Sequence, residues 1–276
     1  MKINRPTSLP LDKFIEFALY DKVSGYYMKK NPFGKDGDFI TAPNITRLFS
    51  EIIAIWVVTF WKSIGSPKKF NLLELGAGNG EMMKVIWATL KNFPECFNSC
   101  SFSIHEKSDF LINKQKENLK SEKISWIKDI KQVNSHPTIF LANEFFDALP
   151  IKQFFKKKED WIERFVDLKE ENKAEFKEQL TDIKKIEQQL NFEISKNQNI
   201  IEYSPDTFKY LKNICGIVKK NDGGILIIDY GYLGSKMHET LQAVNNHKHS
   251  NVLEDIGDSD ITYNINFNLF NKFIEQ

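Results

Sequence analysis

Arginine is scarce in this sequence of 276 residues. It occurs only at Arg5, Arg47 and Arg164, whereas lysine is abundant. Because the guanidinium group is a favoured bidentate clamp for phosphate and carboxylate groups, this scarcity argues against a phosphate-clamping, kinase-like site, although lysine and backbone amides also bind phosphate. Basic and acidic residues nearly balance, at 38 and 37, and the net charge is +1. Without a basic excess we expect no nucleic-acid partner.

Cysteine and long apolar stretches are also rare. Cys96, Cys100 and Cys215 form no CxxC motif and have no histidine at zinc-ligand spacing, so the sequence predicts no metal site. The odd number of thiols suits a reducing compartment. The first residues lack an apolar signal core, and no stretch approaches the roughly 18 to 20 apolar residues that a membrane span requires. We therefore expect a cytoplasmic protein without membrane insertion.

Short apolar runs alternate with helical periodicity along most of the chain. The predicted strands are Phe70–Leu75, Phe102–His105, Ile124–Ile127, Thr138–Ala142 and Ile225–Ile228. Apolar residues at three- and four-residue spacing predict helices before, between and after these strands. This alternation predicts an α/β fold with a doubly wound, mostly parallel, Rossmann-like sheet.

The predicted organisation has four segments. Residues 1–66 hold N-terminal helices and a lid loop, which contains three glycines and two prolines between Gly25 and Pro43. Residues 67–150 form the cofactor-binding half, and residues 201–276 hold the remainder of the domain. Between them, residues 151–200 form an insertion between strands 4 and 5, made of a hairpin from 153 to 167 and a charged stretch. The insertion either covers the strand ends or is a solvated excursion without function.

A glycine-rich turn after the first predicted strand is the sharpest motif. Gly76, Ala77, Gly78 and Gly80 lie between this strand and a helix, so a ligand can approach bare backbone amides at the helix N-terminus. The spacing is GxGxG rather than the GxGxxG of dinucleotide binders. Glu74, just before the turn, would repel a pyrophosphate and attract an amino group. S-adenosylmethionine, which is cationic and free of phosphate, fits this pattern; the alternative is a turn whose glycines serve only local geometry.

Polar side chains also follow the other predicted strands. Glu106 ends the second strand, where an acidic residue of a doubly wound fold accepts hydrogen bonds from ribose hydroxyls. Asp129 follows the third strand, where an adenine would lie, although a solvated turn aspartate is nearly as good an interpretation. Asn143 and Glu144 end the fourth strand at the topological switch point, where ligands of open parallel sheets bind. A cofactor and its methyl acceptor would meet there.

Six short blocks along the chain match one known family in sequence and in order. They are Gly37–Pro43, Glu74–Gly80, Asn143–Pro150, Ile201–Pro205, Ile227–Gly231 and Thr240–Ala243. At these positions the sequence resembles the MidA-like family of class I SAM-dependent methyltransferases. Mitochondrial members of that family are arginine methyltransferases that act in assembly of respiratory complex I. The resemblance therefore implies S-adenosylmethionine as cofactor and a protein substrate, for which a respiratory-complex subunit is one candidate.

Two departures from the family accompany this resemblance. Asn264 stands where the family usually has histidine. Family members also continue well beyond the position of Gln276, so residues 201–276 are expected to lack the last strands of the sheet. An uncovered sheet edge would favour association, such as a homodimer.

Methyl transfer from a sulfonium is an in-line displacement that depends on positioning and desolvation. For a guanidinium acceptor, carboxylates would orient the group, and the catalytic candidates are Glu144, Asp147 and Glu202. Asp147 is nearly as well explained as a helix cap. In the lid loop, Asp38 or Thr41 would touch the cofactor.

Two other functions stay open. One is a small-molecule O- or N-methyltransferase, and the other is an assembly factor that binds the cofactor without turnover. Methylation of nucleic-acid bases is disfavoured, because the fourth strand does not end in the Asn/Asp-Pro-Pro-aromatic sequence of those enzymes.

Overall fold

The computed structural model describes residues 7–29, 32, 41–120, 123–169, 173–245 and 248–276. Its helices are α1 (Leu11–Tyr20), α2 (Tyr26–Lys29), α3 (Ala42–Ile45), α4 (Arg47–Ser63), α5 (Glu81–Leu90), α6 (Pro94–Ser99), α7 (Asp109–Leu119), α8 (Ile183–Leu190), α9 (Pro205–Asn221) and α10 (Phe267–Ile274). Its strands are β1 (Thr7–Pro10), β2 (Phe70–Leu75), β3 (Cys100–His105), β4 (Ile124–Ile127), β5 (Thr138–Asn143), β6 (Lys152–Lys157), β7 (Asp160–Leu168), β8 (Ala174–Thr181), β9 (Ile200–Tyr203), β10 (Gly223–Ile228), β11 (Gly231–Tyr232), β12 (Gln242–Asn245), β13 (Lys248–Ser250), β14 (Asp260–Thr262) and β15 (Ile265–Asn266). None of these helices has the length and apolar character that crossing a bilayer demands.

The chain divides into two compact units. Unit 1 takes its described residues from 1–26, 146–211 and 230–276, and unit 2 from 27–145 and 212–229. Each unit has its own sheet and its own buried apolar cluster.

Unit 2 contains a five-stranded parallel sheet in the order β10-β5-β2-β3-β4. Every residue of β2 is buried, as expected for the central strand of a sheet covered on both faces. The apolar sides of α4 and α5 pack with this sheet in one cluster that includes Val57, Leu72, Ile86 and Ile139. The order reverses between β2 and β5, which makes their carboxyl ends the topological switch point. The predicted α/β, doubly wound parallel architecture is confirmed.

Unit 1 contains an antiparallel sheet in the order β1-β7-β6-β9, with β8 paired to β7. The predicted hairpin is present as β6 and β7, which turn at Lys158, a residue with φ of 57°. Strands β1 and β9 come from either side of residues 151–200, so that segment shares its sheet with neighbouring parts of the chain. The predicted segment boundaries stay a prediction.

The charged stretch after the hairpin folds into β8 and α8. Three of the eight residues of β8 are charged and five of its residues are exposed, as is common on edge strands. In α8, Ile183, Ile186 and Leu190 pack in the unit 1 core, and Asp182 accepts a hydrogen bond from the Lys184 amide at 3.1 Å. These apolar residues lie at helical spacing, but the sequence predicts no helix here because charged residues dominate the segment around them.

The last part of the chain forms small sheets and one helix. Strand β11 pairs with β15, and β12 lies between β13 and β14. Helix α10 begins where the Asn266 side chain accepts a hydrogen bond from the Leu269 amide at 3.0 Å. Within the described ranges, β10 pairs with β5 and with no other strand. The described part of the predicted lid loop includes α2 and the start of α3, while Asp38 falls outside the described residues.

Candidate cofactor site

The glycine turn follows β2 in unit 2 with a backbone that favours glycine. Gly76, Gly78 and Gly80 have φ values of 64°, 54° and 82°. A Cβ atom on Gly76 would lie 2.7 Å from Cδ2 of Phe145, so the turn also lacks space for a larger residue. The Gly80 amide donates to the Ala77 carbonyl at 2.7 Å, and α5 begins directly afterwards. The turn therefore leads directly into the N-terminus of α5, where the first backbone amides have no intrahelical partner and suit a ligand.

An open cavity of about 380 Å³, including space open to solvent, lies over this turn. Its described lining is formed by Thr41, Pro43, Asn44, Glu74, Gly76, Ala77, Gly78, Asn79, Met82, Asn143 and Glu144. Seven predicted site residues thus line one pocket, namely Thr41, Glu74, Gly76, Ala77, Gly78, Asn143 and Glu144. Gly80, also a predicted site residue, is the N-cap residue of α5. The lining further includes four residues that are not among the predicted site residues, namely Pro43, Asn44, Asn79 and Met82.

Two buried oxygen atoms of this pocket have no hydrogen-bond partner among the described residues. They are Oε2 of Glu74 and Oδ1 of Asn143. Glu74 is 2% exposed, and its burial, together with the nearby Glu106 carboxylate, raises its pKa to about 8. The backbone amide of Met83 offsets part of that rise. Because an unsatisfied buried acceptor is costly, the pair calls for a ligand that donates hydrogen bonds and carries positive charge.

Glu144 enters the same pocket from a strained backbone. Its φ is 48°, in the left-handed region, and its amide donates to the Ile228 carbonyl at 2.9 Å. Burial raises the pKa of the carboxyl group, while the Asn143 side chain and the Ala42 backbone amide lower it. Non-glycine residues held in this region cluster at functional sites. The geometry presents a partly desolvated carboxylate at the end of β5.

A chain of amide and hydroxyl groups joins the end of the lid loop to the glycine turn. Nδ2 of Asn79 donates to Oδ1 of Asn44 at 2.8 Å, and Nδ2 of Asn44 donates to Oγ1 of Thr41 at 2.8 Å. Asn44 and Asn79 are 35 residues apart, so no local pattern could have identified their contact. Thr41 thereby lines the pocket in a fixed position.

Glu106 lies buried behind the glycine turn, 8% exposed. Its Oε1 accepts from the Ser108 amide at 2.9 Å, and its Oε2 accepts from Nε2 of Gln115 at 3.1 Å. Burial raises the pKa of Glu106, and these two donors oppose the rise. Glu106 is close enough to Glu74 for its charge to raise the Glu74 pKa, but it is not among the described residues that line the cavity, and its contact with a ribose stays a prediction.

Asp129 is exposed and caps a 3₁₀ turn at Ile130–Gln132. Its Oδ1 accepts from the Lys131 amide at 2.9 Å, and Gln132 completes a capping box. The structure thus gives Asp129 a local role of the kind that the turn interpretation expected. A contact with adenine stays a prediction.

Asp147 and Glu202 belong to unit 1, whereas the described residues that line the pocket belong to unit 2. Asp147 is buried, and its carbonyl accepts from the Tyr263 amide at 3.1 Å. Glu202 is 5% exposed and accepts from Nε2 of Gln153 at 2.5 Å and from both the amide and hydroxyl of Thr240. A carboxylate so fully occupied is suited to holding β6, β9 and residue 240 together. The catalytic roles predicted for these two residues stay predictions.

Asn264 also belongs to this unit 1 network. Its backbone amide donates to the Thr240 hydroxyl at 2.9 Å. The contact uses the main chain, so it does not depend on whether asparagine or histidine stands at this position.

Comparison with known proteins agrees with this site. Residues 52–276 match a family model described as S-adenosyl-L-methionine-dependent methyltransferase. The mitochondrial protein arginine methyltransferase NDUFAF7 of Xenopus laevis is 27% identical over 99% of this chain and 68% of its own length. The homologue from Drosophila melanogaster is 28% identical over 99% of this chain and 68% of its own length. The predicted family resemblance is confirmed.

Solved structures show the same fold. A protein from Burkholderia thailandensis bound to S-adenosyl-homocysteine superposes with a TM-score of 0.78 at 20% identity, covering 97% of this chain and 70% of that one. A second structure from the same organism gives a TM-score of 0.76 at 19% identity, covering 97% of this chain and 71% of that one.

Proposed function

We propose that this chain, which belongs to the family of S-adenosyl-L-methionine-dependent methyltransferases, methylates arginine side chains of a protein. One observation carries the site assignment. The partnerless buried oxygens of Glu74 and Asn143 face the glycine turn in a pocket that also holds Glu144. These groups suit a cationic amino acid moiety at one end and a methyl acceptor at the other.

The residues present fit S-adenosylmethionine. Glu74 Oε2 and Asn143 Oδ1 would accept hydrogen bonds from its ammonium group, and the backbone at Gly76 and Gly78 would lie along its amino acid portion. Glu106 would accept from the ribose hydroxyls. A pyrophosphate is disfavoured at the same place, because its negative charge would further oppose ionisation of the buried Glu74 and Glu106 carboxyl groups, whose pKa values are already raised. When bound, this cofactor supplies a methyl group on a positively charged sulfur atom.

Glu144 is the residue that we assign to the acceptor. Its carboxylate would hydrogen-bond two guanidinium N–H groups and turn a nitrogen lone pair toward the methyl carbon. That nitrogen forms the new N–C bond, while the C–S bond breaks with its electron pair on sulfur. The nitrogen then gives up a proton, for which a carboxylate of raised pKa is a suitable first acceptor.

Arginine in a protein is favoured over a small-molecule acceptor by the relatives. The relatives from Xenopus laevis and Drosophila melanogaster carry the name protein arginine methyltransferase and align with 99% of this chain. The half-buried carboxylate at the end of β5 supports the same acceptor class, since a guanidinium is cationic and planar.

Methyl-labelled cofactor tests this proposal. The full chain is incubated with isotopically labelled S-adenosylmethionine and a protein extract, and the proteins are digested and analysed by mass spectrometry. We expect labelled methylarginine with the parent and little with Glu144→Gln, while Glu159→Gln, a matched change at an exposed turn, behaves like the parent. Label confined to small metabolites would identify a small-molecule methyltransferase. Cofactor binding without any transferred label would identify a non-catalytic assembly factor.

Three finer points of the proposal concern the setting of this chain. We propose a respiratory-complex subunit as the methyl acceptor, because the relatives are named as mitochondrial proteins. We propose a cytoplasmic location for this chain. A homodimer is supported by β10, which in the described structure pairs on one side only. Light scattering during size-exclusion chromatography tests the dimer, and a monomeric mass at micromolar concentration would reject it.

A further inference from the structure

Gln115 is a polar residue on the buried face of a helix. It is 0% exposed and shares the inner side of α7 with Leu111, Ile112 and Leu119. Burying an amide among aliphatic side chains is costly unless each of its polar atoms has a partner. The amide nitrogen and oxygen of Gln115 therefore need hydrogen-bond partners, whereas an apolar residue at this position would need none.

The partners of Gln115 lie on three different elements. Its Nε2 donates to Oε2 of Glu106 at 3.1 Å and to the carbonyl of Gly78 at 2.9 Å. Its Oε1 accepts from Nε1 of Trp126, on β4, at 2.8 Å. Two donors and one acceptor are thus used at once, and among side chains of this length only glutamine supplies that set.

These contacts fix the separation of two parts of the proposed cofactor site. Gly78 belongs to the turn that lines the pocket, and Glu106 is the carboxylate assigned to the ribose. One oxygen of Glu106 is held by the Ser108 amide and the other by Gln115, so the carboxylate cannot rotate freely. Each oxygen still has a lone pair that a ligand hydroxyl could use.

We propose that Gln115 is a positioning residue for the cofactor, holding the Glu106 carboxylate and the Gly78 backbone at the separation that a bound ribose and amino acid moiety require. This inference rests on the cofactor assignment made above. The sequence carries a signal for it, since Gln115 occupies an apolar position of the helical repeat, but its partners become visible only in the fold.

The pH dependence of ligand binding distinguishes positioning from a purely structural role. Besides its hydrogen-bond donors, the charged groups that act on Glu106 are Glu74 on β2 and Lys128 after β4. Gln115 lowers the pKa of Glu106, so its removal raises that pKa. The ionised carboxylate is the better acceptor for hydroxyl groups, so affinity falls when Glu106 becomes protonated. As pH is lowered, the affinity of a Gln115→Met variant should therefore begin to fall at a higher pH than that of the parent.

Gln115→Glu should show the opposite trend. Its side chain cannot donate when ionised, and it would face the Glu106 carboxylate and the Gly78 carbonyl. Affinity should be poorest at high pH and improve as pH falls, since one shared proton restores a hydrogen bond between the two carboxyl groups.

Calorimetric titration of the full chain with S-adenosylhomocysteine between pH 6 and pH 9 tests the proposal. We expect Gln115→Met to weaken binding about tenfold at pH 7.5, the loss expected for a hydrogen bond to a charged group, and the two variants to show the opposite pH trends described above. Asn113→Met, at an exposed position of α7, should bind like the parent.

Failure of the parent to bind would reject the cofactor assignment itself. Binding by the parent and by both Gln115 variants with equal affinity would overturn the positioning role alone. A pH-independent loss that follows the melting temperature of each variant would show a structural role and would also overturn it.

Discussion

Replacing Glu74 by glutamine should stabilise the ligand-free protein while weakening cofactor binding. Glu74 is 2% exposed, and burial followed by repulsion from Glu106 raises its pKa from 4.5 to about 8. The folded chain therefore holds a proton on this group that the unfolded chain releases between these two values. In that window the unfolded state binds fewer protons, so the free energy of unfolding falls as pH rises.

The size of the stability difference between parent and variant follows from the shift of the Glu74 pKa. One pKa unit corresponds to about 1.4 kcal/mol, so ionising Glu74 in the folded chain costs up to about 5 kcal/mol at pH 8 and above. Local relaxation and entry of water reduce such penalties, and we expect about half of that value. At about 2 to 4 °C per kcal/mol, the stability advantage of Glu74→Gln should reach roughly 5 °C or more at pH 9, and it should nearly vanish at pH 5.

Thermal unfolding of ligand-free parent and variant at half-unit steps from pH 5 to pH 9 measures this difference. Glu95→Gln, an exposed position at the start of α6, controls for loss of one negative charge. Titration with S-adenosylhomocysteine should show at least about tenfold weaker binding by Glu74→Gln. A melting-temperature difference that does not change with pH, or unchanged affinity, would refute the reasoning.

Three other changes test separate contacts. Gly76→Ala should lower the free energy of unfolding by about 1 to 3 kcal/mol in urea, because its φ is 64° and a Cβ would meet Phe145; unchanged stability would contradict the turn geometry. Glu144→Gln should reduce kcat at least about tenfold and leave the Kd for S-adenosylhomocysteine within about threefold, and an unchanged kcat would exclude its assigned role. Lys152→Met should lower the free energy of unfolding by about 3 to 5 kcal/mol, because it leaves the buried carboxylates of Asp12 and Glu163 without their shared cation. These carboxylates lie 3.0 and 2.6 Å from the ammonium group. A loss below about 1 kcal/mol in urea denaturation would show that the cluster is not stabilising.

The sheet of unit 2 could be predicted because its strands are short apolar runs bounded by turn residues. Phe70–Leu75 and Thr138–Asn143 are buried on both faces, and such strands read as continuous hydrophobic segments. The glycine turn was equally visible, since three glycines between a strand and a helix form a local pattern. In contrast, β8 has no continuous apolar run, because charged and polar residues separate its few apolar ones, and its pairing with β7 depends on the neighbouring strand rather than on its own composition.

The site could be predicted from the sequence only in part, for a related reason. Carboxylates and amides at strand ends, such as Glu74 and Asn143, can be assigned from the topology of a parallel sheet. Asn44 and Gln115 act through hydrogen bonds to groups on other elements, among them Asn79, 35 residues away, and Glu106, nine residues away. No periodicity or spacing encodes such pairs, so they emerge only when the chain is folded.

Calorimetric binding of S-adenosylhomocysteine to the full chain tests the central claim most directly. Three forms are compared, namely the parent, Gly78→Val in the turn and Glu106→Ala at the end of β3. We predict one equivalent bound by the parent, no detectable binding by Gly78→Val, and at least about tenfold weaker binding by Glu106→Ala. Absence of binding by the intact parent, or equal binding by all three forms, would contradict the assignment of this pocket to the cofactor.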